Sequence, residues 1–137
     1  MSQAWHKIDV RVYYEDTDFS GIVYHANYLK FAERGRSDCL RDNGVHHRAL
    51  AAGEPPLAFA VTHMDIQFLS PARIDDMLTV ATRFTKVQGA RLVAEQEIYL
   101  GDKVIWRATV NAACIDMAGK ARRLPQSVVS ALTRIET

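Results

Sequence analysis

The residues with the clearest chemical potential lie together in positions 14–36, which read YEDTDFSGIVYHANYLKFAERGR. Asp18 sits in a carboxylate-rich loop, Gly21 permits a tight backbone path there, and His25 falls at the predicted start of a long helix. Free N–H groups in the first turn of a helix carry partial positive charge and can stabilise an oxyanion. This combination suits acyl transfer, because the attacked carbonyl oxygen gains negative charge.

Asp18 is the candidate catalytic carboxylate of this loop. An aspartate, with an ordinary pKa of about 3.9, is ionised at neutral pH. It can attack a carbonyl directly or deprotonate a water molecule. A thiolate, whose parent thiol has a pKa of roughly 8.5, leaves without a strong acid, so a thioester fits such a site. The structural alternative is that Asp18 only caps the following helix.

Four neighbours of Asp18 complete the candidate site. The backbone N–H of His25 is expected to donate to an oxyanion, while its side chain either assists catalysis or is structural. Tyr14, at the end of a predicted strand, is expected to pack beside the loop and help to orient the site. Gly21 and Tyr24 are expected to contact the substrate.

The pattern along the chain predicts an α+β fold. Alternating apolar residues predict a first strand at 8–14, a helix follows from about Ala26 to Asn43, and a short helix covers 46–53. Further strands are predicted at 62–68, 78–84, 92–100 and from Val104 to about Met117, with a short helix after Pro125. Short turns force antiparallel neighbours, so one long helix must cover a single curved antiparallel sheet.

Composition and charge exclude several classes of protein. The chain has 137 residues, 48% of them hydrophobic and 24% charged, with a formal net charge of +1, which predicts one domain over 1–137. We expect no nucleic-acid partner, membrane insertion or secretory signal. We expect the two cysteines to be buried and reduced in a cytoplasmic protein. Without a His/Cys cluster, no metal site is predicted.

Three segments of the chain resemble the 4-hydroxybenzoyl-CoA thioesterase family, and in particular its branch of acyl-CoA thioesterases associated with the Tol–Pal system. They are VRVYYEDTDFSGIVYHANYLKFAERGR, SPARIDDML and RLPQSVV. The resemblance implies a hotdog fold, in which the sheet wraps around one central helix, and dimers with a continuous sheet or tetramers. It implies catalysis by Asp18, an oxyanion donor at the N–H of His25, and no cofactor, since coenzyme A is part of the substrate.

Acyl-CoA is therefore the expected substrate, and thioesters of acyl carrier protein are left open. Three basic residues that flank predicted strand ends could contact the coenzyme A phosphates, namely Arg73, Lys86 and Arg91. The alternative is that these residues form a solvated basic rim.

Three other functions compete with hydrolysis of a thioester. A phosphatase of the haloacid dehalogenase type would use Asp16 as its nucleophile, but its fold requires a parallel sheet. A hotdog hydratase uses an Asp and a His separated by four residues, whereas Asp18 and His25 are separated by six. A non-catalytic acyl-CoA-binding module would keep the fold without turnover.

Overall fold

The computed structural model describes residues 4–133. Its elements in chain order are β1 (His6–Arg11), a 3₁₀ turn (Tyr14–Asp16), α1 (Asn27–Asp42), α2 (His47–Ala51), β2 (Ala58–Phe68), β3 (Met77–Gln88), β4 (Arg91–Leu100), β5 (Lys103–Ile115) and α3 (Gln126–Thr133). The long helix predicted at about 26–43 is confirmed to within one residue at each end.

The five strands form one sheet in the order β1-β3-β4-β5-β2, and every pairing among them is antiparallel. A tight hairpin at Gly101 and Asp102 joins β4 to β5, with Gly101 in the left-handed region at a φ of 60°. An antiparallel sheet of this kind is incompatible with the parallel fold of the haloacid dehalogenase phosphatases. The fold therefore argues against Asp16 as a phosphatase nucleophile.

Helix α1 packs against the sheet through a glycine. A Cβ atom at Gly35 would lie 2.7 Å from Cγ1 of Val80 and 2.9 Å from Oγ1 of Thr82, both fully buried on β3. A side chain here would therefore push the helix away from the sheet. The close approach explains a glycine inside the helix, and it offsets the lower helix propensity of glycine.

A polar network fixes the same contact. Gln96 of β4 is buried, and its Nε2 donates to the carbonyl of Ala32 at 2.8 Å and to Oγ1 of Thr82 at 2.8 Å. Its Oε1 accepts a hydrogen bond from Nη1 of Arg36 at 2.9 Å. Helix and sheet are thus joined by a satisfied network as well as by apolar packing.

The first strand is shorter than predicted. It ends at Arg11 because the next amides change partners: the N–H of Tyr13 donates to Oδ2 of Asp16 at 2.8 Å, which turns the chain into the 3₁₀ turn. The prediction that Tyr14 ends a strand is wrong. Tyr14 lies in that turn with 79% of its surface exposed.

The sheet has two edge strands, β1 and β2. Strand β2 and the residue after it leave large apolar side chains exposed: Val61, Phe68 and Leu69.

Within residues 4–133, none of the helices is long and apolar enough to cross a bilayer.

We expect Gly35→Ala to destabilise the protein by about 1–3 kcal/mol, because the new methyl group overpacks the contact with Val80 and Thr82. Urea unfolding measures the change. Gly53→Ala is the matched control, since the nearest atom to its Cβ lies at 3.4 Å, and it should change stability by no more than about 0.5 kcal/mol. A Gly35→Ala protein as stable as the wild type would contradict the close packing.

Candidate active site

Asp18 lies in a small hairpin that begins after the 3₁₀ turn. Thr17 and Val23 form an isolated bridge, and the N–H of Asp18 donates to the carbonyl of Ile22 at 3.0 Å. The N–H of Gly21 donates to the carbonyl of Asp18 at 3.1 Å, and Gly21 takes a φ of 85°. The left-handed conformation explains the glycine, because residues with a Cβ are strained there.

The segment between β2 and β3 holds this hairpin in place. The N–H of Val23 donates to the carbonyl of Ala72 at 2.9 Å, and Ile22 forms a bridge with Arg73. The hairpin is therefore joined to the sheet on its Ile22 and Val23 side. This arrangement also brings the backbone of Arg73 next to the loop that carries Asp18.

Asp16 joins the hairpin to the start of α1. Its side chain is buried and accepts the N–H of Tyr13. Its carbonyl accepts two hydrogen bonds, from the N–H of Tyr24 at 3.0 Å and from Nδ2 of Asn27 at 2.8 Å. Asp16 thus stabilises the junction between the hairpin and the helix, through its buried side chain and through its carbonyl.

The carboxylate of Asp18 is arranged differently. Its Oδ1 accepts two hydrogen bonds from Ser20, one from the backbone N–H at 2.8 Å and one from Oγ at 2.5 Å. These bonds hold the pKa of Asp18 below its ordinary value, chiefly through the hydroxyl. Among residues 4–133 no donor bonds to Oδ2. Asp18 thus offers an ionised carboxylate with one free oxygen.

Asp18 does not cap the long helix. The residue at the cap position of α1 is Ala26, and no side chain in the described part of the chain caps this helix end. The interpretation of Asp18 as a capping residue is therefore wrong, because Ser20 holds the carboxylate within its own turn.

The start of α1 presents backbone donors. The N–H of Asn27 is bonded to the carbonyl of Tyr24, whereas the N–H groups of His25 and Ala26 donate to no group within the described part of the chain. The first turn of α1 contains no acidic residue that would compete for them. Two adjacent free amides at a helix start form an arrangement that can receive an oxyanion.

The side chain of His25 is exposed and borders an open, mainly apolar cavity of about 310 Å³. Its ring centroid lies 6.3 Å from that of Phe68 and 4.5 Å from that of Tyr24. The residues that line the cavity come from the hairpin, α1 and the end of β2: Ile22, Val23, His25, Tyr28, Phe68, Leu69, Ser70 and Pro71. An apolar cavity beside the free amides suits an acyl compound.

Tyr28 forms the inner wall of this cavity. Its ring stacks on Trp106 at 6.3 Å between centroids and meets Phe68 edge-on at 5.9 Å. Its hydroxyl oxygen accepts the N–H of Ala72 at 3.0 Å, and burial raises the pKa of the phenol. Tyr28 therefore stays neutral at physiological pH and links the aromatic core to the segment that holds the hairpin.

The structure brings together most of the residues predicted from the sequence. Asp18, Gly21, Tyr24 and His25 lie in the hairpin and the approach to α1, and Arg73 lies beside them. Tyr14 is next to the hairpin in sequence, but its side chain is exposed to solvent.

Lys86 and Arg91 lie elsewhere. Lys86 is nine residues beyond Met77 in β3, which corresponds to about 30 Å along a strand, and Arg91 begins the next strand. Met77 pairs with Arg11 at the end of the sheet nearer the hairpin. Within one chain these two cations are therefore remote from Asp18. Their contact with coenzyme A stays a prediction that requires a neighbouring subunit.

Sequence reasoning missed the roles of Ser20, Asn27, Tyr28 and Phe68. The triplet Asp-Phe-Ser before Gly21 was a usable signal, because Asp side chains commonly bond to the amide two residues later in turns. The contact of Tyr28 with Phe68 had no such signal in the sequence, since it depends on how the sheet folds over the helix. Within residues 4–133, no group of three or more His, Cys, Asp or Glu side chains is placed to hold a metal ion.

Comparison with protein families gives a match to the thioesterase superfamily over residues 20–106. The acyl-CoA thioester hydrolase YbgC of Escherichia coli O6:H1 is 42% identical over 132 residues, which cover 95% of this chain and 97% of the relative. The acyl-CoA thioesterase YbgC of Haemophilus influenzae is 40% identical over 129 residues, which cover 93% of each chain.

A solved structure gives the same result for the fold. The crystal structure of a probable thioesterase from Bartonella henselae superposes with a TM-score of 0.87 and 51% sequence identity, covering 89% of this chain and 100% of that chain. The hotdog fold expected from the sequence, with its antiparallel sheet around α1, is confirmed.

Proposed function

The chain belongs to the thioesterase superfamily, and from this premise we propose that Asp18 and the backbone leading into α1 form the catalytic site of an acyl-CoA thioesterase. Hydrolysis of acyl-CoA thioesters is the activity of the protein, given relatives 40–42% identical over more than nine-tenths of its length. The observation that carries the site assignment is the free Oδ2 of an ionised Asp18, in a hairpin fixed beside the free amides of His25 and Ala26.

The proposed reaction begins with the thioester carbonyl oxygen at the amides of His25 and Ala26. If Oδ2 of Asp18 attacks the carbonyl carbon, the C–S bond breaks and coenzyme A leaves as the thiolate with its electron pair. Water then hydrolyses the mixed anhydride and restores Asp18. If Oδ2 instead takes a proton from water, hydroxide attacks the same carbon, the C–S bond breaks, and the departing thiolate receives the proton from Asp18. Either route consumes one thioester and one water and yields a carboxylic acid and a thiol.

The other site residues bind or orient the substrate in this proposal. The side chain of His25 borders the apolar cavity and assists at the carbonyl, while Tyr24 and Gly21 contact the substrate from the hairpin side. Tyr14, which lies beside the loop, helps to orient the site. This chemistry uses no cofactor, and thioesters of acyl carrier protein are a second class of substrate.

We also propose that the protein is a homo-oligomer, either a dimer or a tetramer. Val61 and Phe68 on β2 are 48% and 53% exposed, at an edge strand with an unpaired side. Phe68 also lines the open cavity beside His25, so a second copy on this edge would cover both apolar side chains and complete the cavity.

We propose further that the enzyme is one domain and is cytoplasmic. The described residues share one hydrophobic core, which supports a single thioesterase domain over 1–137. Both cysteines are free and buried, which suits a reducing cytoplasm, where coenzyme A thioesters are metabolised. An association with the Tol–Pal system is proposed from the family resemblance alone.

We expect Asp18→Asn to lower kcat on acyl-CoA by at least about 100-fold, with KM little changed, because an amide is a poor nucleophile and a poor base. Steady-state kinetics with a panel of acyl-CoA substrates measures both constants. A folded variant with wild-type turnover would overturn the role of Asp18. A wild-type protein that binds acyl-CoA without turnover would indicate a binding module.

Asp16→Asn is the matched control. Its amide oxygen can still accept the N–H of Tyr13, so turnover should fall much less than in Asp18→Asn. A phosphatase that used Asp16 as its nucleophile would lose turnover of a phosphate monoester in Asp16→Asn and keep much more of it in Asp18→Asn.

We expect Arg73→Gln to raise KM for acyl-CoA more than it lowers kcat, because phosphates that do not change during the reaction contribute uniform binding. Lys86→Gln and Arg91→Gln should behave in the same way if they reach coenzyme A from a neighbouring subunit. The control substrate is the matching acyl-pantetheine, which lacks the phosphates and should show no change. Unchanged KM values for all three variants would identify these residues as a solvated rim.

We expect light scattering to give the mass of a dimer or tetramer at micromolar concentration, since burial of the β2 edge favours association. Phe68→Ser should shift the distribution towards the monomer of 15.4 kDa. The exposed Met117→Ser is the control and should leave the mass unchanged. A fully active wild-type monomer would contradict the proposal.

A further inference from the structure

Ser20 makes two hydrogen bonds to a single oxygen atom of Asp18. Its backbone N–H and its Oγ both donate to Oδ1, at 2.8 Å and 2.5 Å. We propose that Ser20 is a positioning residue for the hydrolysis: it engages Oδ1 so that Oδ2 is the oxygen that reacts. This inference rests on the proposed function, because it assumes that Asp18 is the reacting carboxylate.

The hydroxyl of Ser20 is not needed to close the hairpin. The bonds from the N–H of Asp18 to Ile22 and from the N–H of Gly21 to Asp18 already close it, together with the bridge between Thr17 and Val23. The backbone N–H of Ser20 completes the turn around the Asp18 side chain. The additional hydroxyl bond therefore acts on the carboxylate and not on the backbone path.

Asp116 is a useful comparison, because it is a second aspartate whose carboxylate accepts hydrogen bonds from its own turn. Asp116 also accepts two donors on Oδ1, the N–H of Ala118 at 2.9 Å and the N–H of Lys120 at 3.0 Å. Its Oδ2 is bound as well, by Nε of Arg122 at 2.8 Å. Both of its oxygens are thus engaged, whereas within residues 4–133 donors reach Asp18 at Oδ1 alone. The difference identifies Oδ2 of Asp18 as the oxygen available to a substrate.

Two effects on the reaction follow from the Ser20 hydroxyl. A carboxylate with one oxygen held by two donors rotates less about its terminal bond, so Oδ2 keeps one direction, and orientation of this kind raises the rate of the chemical step. The same bonds favour the ionised form, and the pKa of Asp18 is lowered accordingly. Because the reaction needs the ionised carboxylate, activity falls as the pH drops through this pKa. Removing the hydroxyl should move that fall to higher pH.

The test compares Ser20→Ala, which removes the hydroxyl but keeps the backbone N–H, with Ser20→Thr, which keeps both donors. In the full-length protein, the pH profile of kcat is measured for both and for the wild type. We expect Ser20→Ala to lower kcat with KM unchanged and to shift the acid limb of the profile to higher pH. Ser20→Thr should restore both towards wild type.

Carbon-13 NMR titration of the Asp18 carboxyl provides a readout that does not depend on turnover. Asp18→Asn identifies its resonance. We expect the titration of this carboxyl in Ser20→Ala to move to higher pH, in step with the kinetic limb. An unchanged kinetic limb would overturn the inference, whether or not the NMR titration moves. So would a loss of activity in Ser20→Ala that Ser20→Thr does not restore.

Failure of this inference is distinguishable from failure of the proposed function. If Asp18→Asn retains wild-type turnover, Asp18 is not the reacting group, and both proposals fall. If Asp18→Asn is inactive but Ser20→Ala matches the wild type in kcat and in its acid limb, only the role of Ser20 is overturned.

Discussion

The close approach of α1 to the sheet at Gly35 is the constraint on which the rest of the molecule depends. With no side chain at this position, the helix backbone lies against Val80 and Thr82, and Gln96 can reach the carbonyl of Ala32. This contact sets the distance of the whole helix from β3 and β4. It also helps to place the start of α1, with the amides of His25 and Ala26 just before it, relative to the strand ends.

The site is assembled on that frame by backbone hydrogen bonds. Asp16 diverts the chain out of β1 and receives Tyr24 and Asn27 at its carbonyl, which brings the hairpin to the start of the helix. The side chains of Asp18 and Ser20 take no part in these bonds and are hydrogen-bonded to each other. In the proposed mechanism, Asp16 holds the backbone of the site, whereas Asp18, two positions later, takes part in the chemistry.

Local patterns in the sequence were sufficient for the type and order of the elements, although β2 begins four residues before its predicted start and β3 ends four residues after its predicted end. The helix is bounded by strong signals, among them Gly44, which takes a φ of 83° just beyond its end. The end of β1 could not be predicted, because the alternation continues through Tyr14 and only the bond from Tyr13 to Asp16 interrupts it. The cavity wall could not be predicted from the sequence either. Tyr28 and Phe68 are 40 residues apart and meet only through the packing of α1 against the sheet.

Ala72 connects the aromatic core to the reactive loop through its own two backbone groups, the N–H bonded to Tyr28 and the carbonyl bonded to Val23. The hairpin cannot loosen on this side unless the bond at Ala72 breaks, and the Tyr28 end of that connection is embedded in the stacked rings of the core. Opening of the hairpin on this side costs the bond between Val23 and Ala72, and displacement of Ala72 itself would also cost its bond to the buried hydroxyl of Tyr28. Ala72 therefore has a partner on each side, and its position is constrained by the interior as well as by the hairpin.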